Sequence, residues 1–216
     1  MADKMTLILE DVDIRTPSGR RLITSVNARF DTGVTALVGQ NGAGKSTLLR
    51  AIANLHPFVR GTIRLDALDN VRHKRTFLER LAFMPQNFMS YSELTGIEFL
   101  EFFLRLRGTD RRSAQATANS WIDAVGLRHA AKVRTGTYSQ GMLQRLGFAY
   151  AMQVDVALHI LDEPFAGVDP ETRDVLMNLL FDTCADRIVI VSTHHVDEMV
   201  ERGAAIARLT DGRLVQ

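Results

Sequence analysis

A chain of 216 residues is long enough for one substantial hydrophobic core with a smaller lobe attached. Hydrophobic residues make up 46% and charged residues 24%, the balance of a globular protein, which excludes little beyond disorder. A formal net charge of +1 gives no overall pull toward nucleic acid or an anionic membrane, and a single cysteine excludes both a disulfide framework and a thiolate metal cluster.

The lone Cys184 lies in an expected helix and reads as a small buried hydrophobe, in keeping with a reducing compartment. Met1-Ala2-Asp3-Lys4 is not followed by the apolar core of a signal peptide, and no run approaches the roughly eighteen apolar residues that cross a bilayer. Any membrane role is therefore expected to come through a partner.

The first expected strand covers Thr6 to Ile14, with Leu7, Leu9, Val12 and Ile14 apolar, and Pro17-Ser18-Gly19 turns the chain into a second strand over Leu22 to Phe30. Asp31-Thr32-Gly33 turns it again, into the apolar run Val34 to Val38. Next comes the stretch around which the chain is organised: Gly39-Gln40-Asn41-Gly42-Ala43-Gly44-Lys45-Ser46-Thr47, followed by a helix expected to run to about Leu55 before Pro57. Strand, glycine-rich turn and helix in this order form a phosphate cradle. The glycines let backbone N–H groups turn inward around phosphate oxygens, and the helix N-terminus adds its positive end. Lys45 is placed to meet the β- and γ-phosphates of a nucleotide, and the Ser46 hydroxyl to complete a Mg²⁺ shell.

Gly61 to Leu65 reads as a short strand. The basic run Arg72-His73-Lys74-Arg75 is expected in a solvated loop with no nucleic-acid role. Leu81 to Gln86 reads as a strand stopped by Pro85, leaving Gln86 at its end. A helical lobe follows. Thr95 and Glu98 have capping-box spacing, Phe99, Phe102, Phe103 and Leu106 form one apolar stripe, and a second helix over Arg112 to Val125 closes on Gly126.

Tyr138-Ser139-Gln140-Gly141-Met142-Leu143-Gln144-Arg145 opens a third helix with Ser139 as its N-cap. The apolar strand Val156 to Leu161 ends in Asp162-Glu163. Two acids at the carboxyl end of a buried strand are costly unless a cation or a catalytic task uses them, so Asp162 is placed for Mg²⁺ and Glu163 for taking a proton from an attacking water. Asp169-Pro170 reads as an N-cap and first helical residue, opening a helix that buries Val175, Leu176, Leu179 and Leu180. A buried strand, Ile188 to Val191, leads to Ser192-Thr193-His194-His195. The chain finishes with a hairpin, Ala205 to Leu209 and Arg213 to Val215, around Asp211-Gly212.

The order of these pieces resembles the nucleotide-binding subunit of ATP-binding-cassette (ABC) transporters. Walker A falls at Gly39 to Thr47, the Q-loop at Gln86, a signature segment at Tyr138 to Met142 and Walker B at Leu158 to Asp162. Glu163, a D-loop ending at Asp169 and a switch histidine at His194 follow, His194 being preferred to His195 because it stands directly after Ser-Thr. The resemblance implies an α/β fold: a P-loop NTPase core with a mostly parallel sheet, an antiparallel β entry subdomain and an inserted α-helical subdomain. All of 1–216 would form one ABC ATPase domain, with core at 1–86, helical subdomain at 87–155 and core again at 156–216.

The same resemblance implies a mechanism. Two subunits, expected to be identical, pair head to tail, so that ATP held by Gly39 to Thr47 of one is closed over by Ser139 and Gly141 of the other. Ser46, Gln86 and Asp162 surround Mg²⁺. Glu163 polarises water, Lys45, His194 and Gln86 attend the γ-phosphate, and Asp169 communicates across the dimer. Closing and opening would drive a separate transmembrane permease, contacted through Gln86 to Leu94 and the helical lobe, at the cytoplasmic face of the inner or plasma membrane. The segments Met84 to Glu101 and Gly141 to Gly147 look most like those of bacterial exporters. The alternative is a non-transport ABC ATPase acting as a mechanical or regulatory module; a nucleotide switch without hydrolysis fits poorly with the intact Asp162-Glu163 pair.

Two departures from the family pattern carry consequences. Gln140 and Met142 replace a glycine and the glutamine of Leu-Ser-Gly-Gly-Gln, so a side chain at 140 is expected to crowd the closed pair. No aromatic residue precedes Phe30 where many relatives stack the adenine, so base recognition is expected to be weak and helped by the Arg15 guanidinium, with GTP substituting substantially for ATP.

Overall fold

The computed structural model describes residues 5–16, 18–184 and 186–216. Met1–Lys4 and Pro17, on which the leader reading and part of the first turn rest, lie outside the described residues. In chain order the elements are β1 (Thr6–Arg15), β2 (Arg21–Asp31), β3 (Gly33–Val38), α1 (Lys45–Ile52), β4 (Arg60–Leu65), β5 (Leu68–Asp69), α2 (Lys74–Glu79), β6 (Leu81–Met84), α3 (Gly96–Leu106), α4 (Arg111–Ala124), α5 (Gln140–Met152), β7 (Leu158–Asp162), α6 (Pro170–Thr183), β8 (Ile188–Ser192), α7 (Val196–Glu201), β9 (Ala205–Thr210) and β10 (Arg213–Val215). Contacts divide them into two compact units: one takes in the chain up to Phe83, Val156–Asp162 and Cys184–Gln216, the other Met84–Asp155 and Glu163–Thr183. The sequence reading returns all of 156–216 to the core, whereas the stretch Glu163–Thr183 groups with the lobe.

The first unit is built on two sheets. One is antiparallel, in the order β2-β1-β4-β5; the other runs β10-β9-β3-β8-β7-β6, with β9, β3, β8 and β7 mutually parallel. Burial follows this division. All five residues of β7 and of β8 are buried, as expected of parallel strands covered on both faces, while β2 alternates buried and exposed positions. Apolar side chains of both sheets, including Leu9, Ile23, Leu37, Ile160 and Ile190, join Leu49 of α1 in one core.

Local signals and the structure diverge at several places. Helix α1 ends at Ile52, short of Leu55, because Asn54 adopts φ 58° and the Leu55 and His56 N–H groups fold back onto Arg50 O. The basic run is exposed as expected, but Lys74 and Arg75 open α2, a helix anchored by the buried Phe77. Strands β5 and β7 and helix α7 also differ from the sequence expectation: β5 and α7 are additional, and β7 starts at Leu158.

The second unit is a helical lobe with an aromatic centre. Phe103 of α3 lies with its ring centroid 4.9 Å from those of Phe99 and Tyr150, and Phe88 packs edge-on against Phe99 at 5.7 Å. The capping box of α3 is present: Thr95 Oγ1 accepts from Glu98 N–H at 3.3 Å, and Glu98 Oε2 accepts from Thr95 N–H at 2.9 Å. The apolar stripe is rotated from the expected one. Phe99, Leu100 and Leu104 are buried, whereas Phe102 and Leu106 are exposed. Helix α6 likewise buries Leu176, Met177 and Leu180 and leaves Val175 exposed. Helix α4 closes as read, with Gly126 at φ 69° and Leu127 N–H donating to Ile122 O at 2.9 Å. Cys184 is fully buried, just past the end of α6.

Candidate functional site: a phosphate loop beside a buried carboxylate

Parallel pairing sets the site. Leu37 of β3 and Asp162 of β7 both pair in register with Ser192 of β8, so three carboxyl ends of strands lie side by side. Open α/β sheets bind ligands at such ends. From β3 the chain enters the loop 39–44 and then α1, whose N-cap, Gly44, has φ 101° and offers no side-chain cap. The first N–H groups of α1 are thus left without a side-chain cap, the arrangement that suits an anion at a helix N-terminus. Gly39 is needed for close approach, since a Cβ there would collide with Leu209 O.

Lys45 is buried, and its Nζ donates to Gly39 O at 2.8 Å and to Gln40 O at 3.4 Å, so the loop wraps around its own ammonium group. Ser46 Oγ donates to Asp162 Oδ1 at 3.0 Å, and Ser192 Oγ donates to the same oxygen at 2.7 Å. Asp162 is wholly buried and its Oδ2 has no hydrogen-bond partner. A buried carboxylate with one satisfied and one orphaned oxygen is expensive by itself and suits a hard cation. The residues fit Mg²⁺, which takes few protein oxygens and completes its shell with phosphate and water. Among the described residues no three His, Cys, Asp or Glu side chains form a metal cluster.

The phosphate loop borders a cleft of about 760 Å³ whose wall includes His194, Arg20, Arg21 and Arg208. The two histidines separate here. His194 is exposed on the cleft, whereas His195 Nδ1 lies 3.3 Å from Glu198 Oε1 at the start of α7. Arg15, expected to help hold the base, is outside the lining of this cleft, and Arg20 and Arg21 line it instead. Sequence reasoning gave no role to these two, nor to Ser192, whose place beside Asp162 comes from strand register and carries no local signal.

Gln86, Ser139, Gly141 and Glu163 belong to the second unit. Gln86 is exposed in the loop after β6. Ser139 caps α5, its Oγ accepting from Met142 N–H at 3.3 Å, and Gly141 sits in the first turn, where a Cβ would lie 3.3 Å from Gly167 O. Glu163, half-buried, has a left-handed backbone with φ 51°. Sites that carry function often hold such backbone strain.

Comparison with known proteins identifies the family and the fold. The family model described as ABC transporter matches residues 24–166. Retinal-specific phospholipid-transporting ATPase ABCA4 of Mus musculus is 33% identical over 94% of this chain, which spans 9% of that protein's length. The uncharacterized ABC transporter ATP-binding protein YxlF of Bacillus subtilis is 38% identical over 74% of this chain and 52% of its own. A solved structure of the ATP-binding subunit of an ABC transporter superposes with a TM-score of 0.87 at 25% identity, covering 96% of this chain and 87% of that one. Matched by this family model over residues 24–166 and by ABCA4 over 94% of its length, the chain belongs to the ABC transporter family as an ATP-binding, ATPase domain.

Proposed function

We propose that two copies of this chain clasp ATP head to tail and that hydrolysis releases them, driving a separate transmembrane permease. The observation that carries this reading is the Asp162 carboxylate, bonded on one oxygen to Ser46 and Ser192 and unpartnered on the other, beside the Lys45 loop. In this reading the N–H groups of Gly39 to Thr47 and the Lys45 ammonium hold the triphosphate. Ser46, Asp162 and Gln86 hold Mg²⁺, which when bound neutralises phosphate charge. Glu163 takes the proton of the attacking water, and His194 steadies the γ-phosphate from the cleft wall. Ser139 and Gly141 of the second copy seal the nucleotide with the positive end of α5.

No helix among the described residues is long and apolar enough to cross a membrane. In this reading coupling to cargo runs through the permease, at the cytoplasmic face of the inner or plasma membrane. Exporter-type coupling follows the sequence resemblance. ABCA4 is named for phospholipid transport, which makes phospholipid the first cargo to test once the permease is in hand.

The test is Glu163→Gln, which keeps the shape of the side chain and removes the base. Turnover is expected to fall by about 10²–10⁴ while ATP binding persists and ATP-bound dimers accumulate. Undiminished hydrolysis would remove Glu163 from its role.

A further inference from the structure

One face of α5 holds the loop that carries Glu163. Gly141, Gln144 and Phe148 recur at helical spacing along this face. A Cβ at Gly141 would be 3.3 Å from Gly167 O, the Gln144 Nε2 donates to Glu163 O at 2.7 Å, and the Phe148 ring lies 6.4 Å from that of Phe165. Gln144 is 1% exposed, an unusual depth for a glutamine, and its amide is spent on a backbone carbonyl. That carbonyl belongs to a residue whose φ of 51° is sparsely populated by residues with a Cβ. The Glu163 carbonyl also accepts from Ala166 N–H at 3.2 Å, so Gln144 completes the turn that sets where the Glu163 side chain leaves the backbone.

We infer that Gln144 is a positioning residue: its buried amide fixes the left-handed turn at Glu163 and so ties the aim of that carboxylate to the seating of α5. The inference rests on the reading of Glu163 as the base. It adds a physical link within one chain, because the same helix begins at Ser139 and Gly141, the groups proposed to seal the partner's nucleotide. A shift of α5 on closing would pass through Gln144 to the carboxylate. Because the attacking water must be held within a fraction of an ångström of its productive place, a loosened Glu163 loses rate more than binding.

The experiment replaces Gln144 by Met, which keeps length and volume and removes the donor. Three measurements on the full chain decide the matter. Hydrogen exchange of the peptide over 163–169 should quicken in Gln144→Met, while the thermal midpoint shows that the variant remains folded. The kcat for ATP should fall by about tenfold to a hundredfold, with ATP affinity within about twofold of the parent. In the Glu163→Gln background the same change should lower the residual rate no further, since the group being aimed is gone. Unchanged exchange at 163–169 overturns the inference, as does a kcat loss that multiplies with that of Glu163→Gln. Should Gln144→Met fail to fold, Gln144→Glu, of equal length, replaces it in all three arms. If exchange quickens but Glu163→Gln alone leaves turnover intact, the base assignment is what fails, and the holding of the loop by Gln144 stands.

Discussion

At the scale of single residues the site turns on one carboxylate with unequal oxygens. Asp162 Oδ1 is bonded to two hydroxyls and Oδ2 is buried and unpartnered. Asp162→Asn keeps an acceptor for Ser46 and Ser192 but removes the charge, so the fold should survive and the cation should not be held. Mg²⁺ is expected to tighten ATP binding in the parent; in the variant the ratio of affinities with Mg²⁺ and with chelator should shrink by at least about tenfold. Isothermal titration of both proteins under both conditions checks this, and a ratio that survives the substitution would move the ion elsewhere. Lys45, Ser46 and Asp162 could be read from the sequence because loop spacing and a strand end locate them. Ser192 and Gln144 could not, because their roles come from strand register and helix packing, which bring together residues far apart in the chain.

At the scale of elements the helical lobe depends on carboxylates at helix starts. Glu98 in the capping box of α3, Asp110 at the N-cap of α4 and Asp169 at that of α6 all sit below their ordinary values. Hydrogen bonds from the Thr95 backbone and hydroxyl act on Glu98, those from the Ser113 hydroxyl and backbone on Asp110, and those from the Thr172 backbone and hydroxyl on Asp169. A carboxylate depressed in the folded state adds stability that is complete above its unfolded value and is lost as pH falls through the folded one. For these groups the loss begins near 4.5 for Glu98 and 3.8 for the two aspartates and continues below. Glu98→Gln, Asp110→Asn and Asp169→Asn together keep capping oxygens but cannot titrate. The thermal midpoint of this triple variant should fall less steeply than the parent's below pH 4.5, and parallel acid limbs would refute it. The caps at Thr95-Glu98 and Asp169 were legible because a cap is written within four residues, whereas Asp110 was not singled out. The rotation of α3, the exposure of Val175 and the short helices α2 and α7 were not, since apolar spacing shows that a helix has a buried face without fixing which residues the rest of the fold covers.

At the scale of the whole molecule the proposed clasp requires nucleotide to act as adhesive between two chains, and this gives it a concentration signature. A ligand that binds only the closed pair stabilises it in proportion to the logarithm of ligand over dissociation constant, so dimer content should rise with ATP and stay high where hydrolysis is blocked. Glu163→Gln provides that block. Adding Lys45→Ala removes the ammonium group around which the loop is wrapped, with its bonds to Gly39 O and Gln40 O. A charge-assisted contact to phosphate of this kind is worth about 1.5–3 kcal/mol, or roughly tenfold to a hundredfold in ATP affinity. In sedimentation velocity with ATP, the Glu163→Gln protein should therefore form a dimer at concentrations where the Lys45→Ala, Glu163→Gln protein remains a monomer. A dimer of equal strength in both, or one indifferent to ATP, would mean that the copies meet through some other surface and that triphosphate does not hold them together.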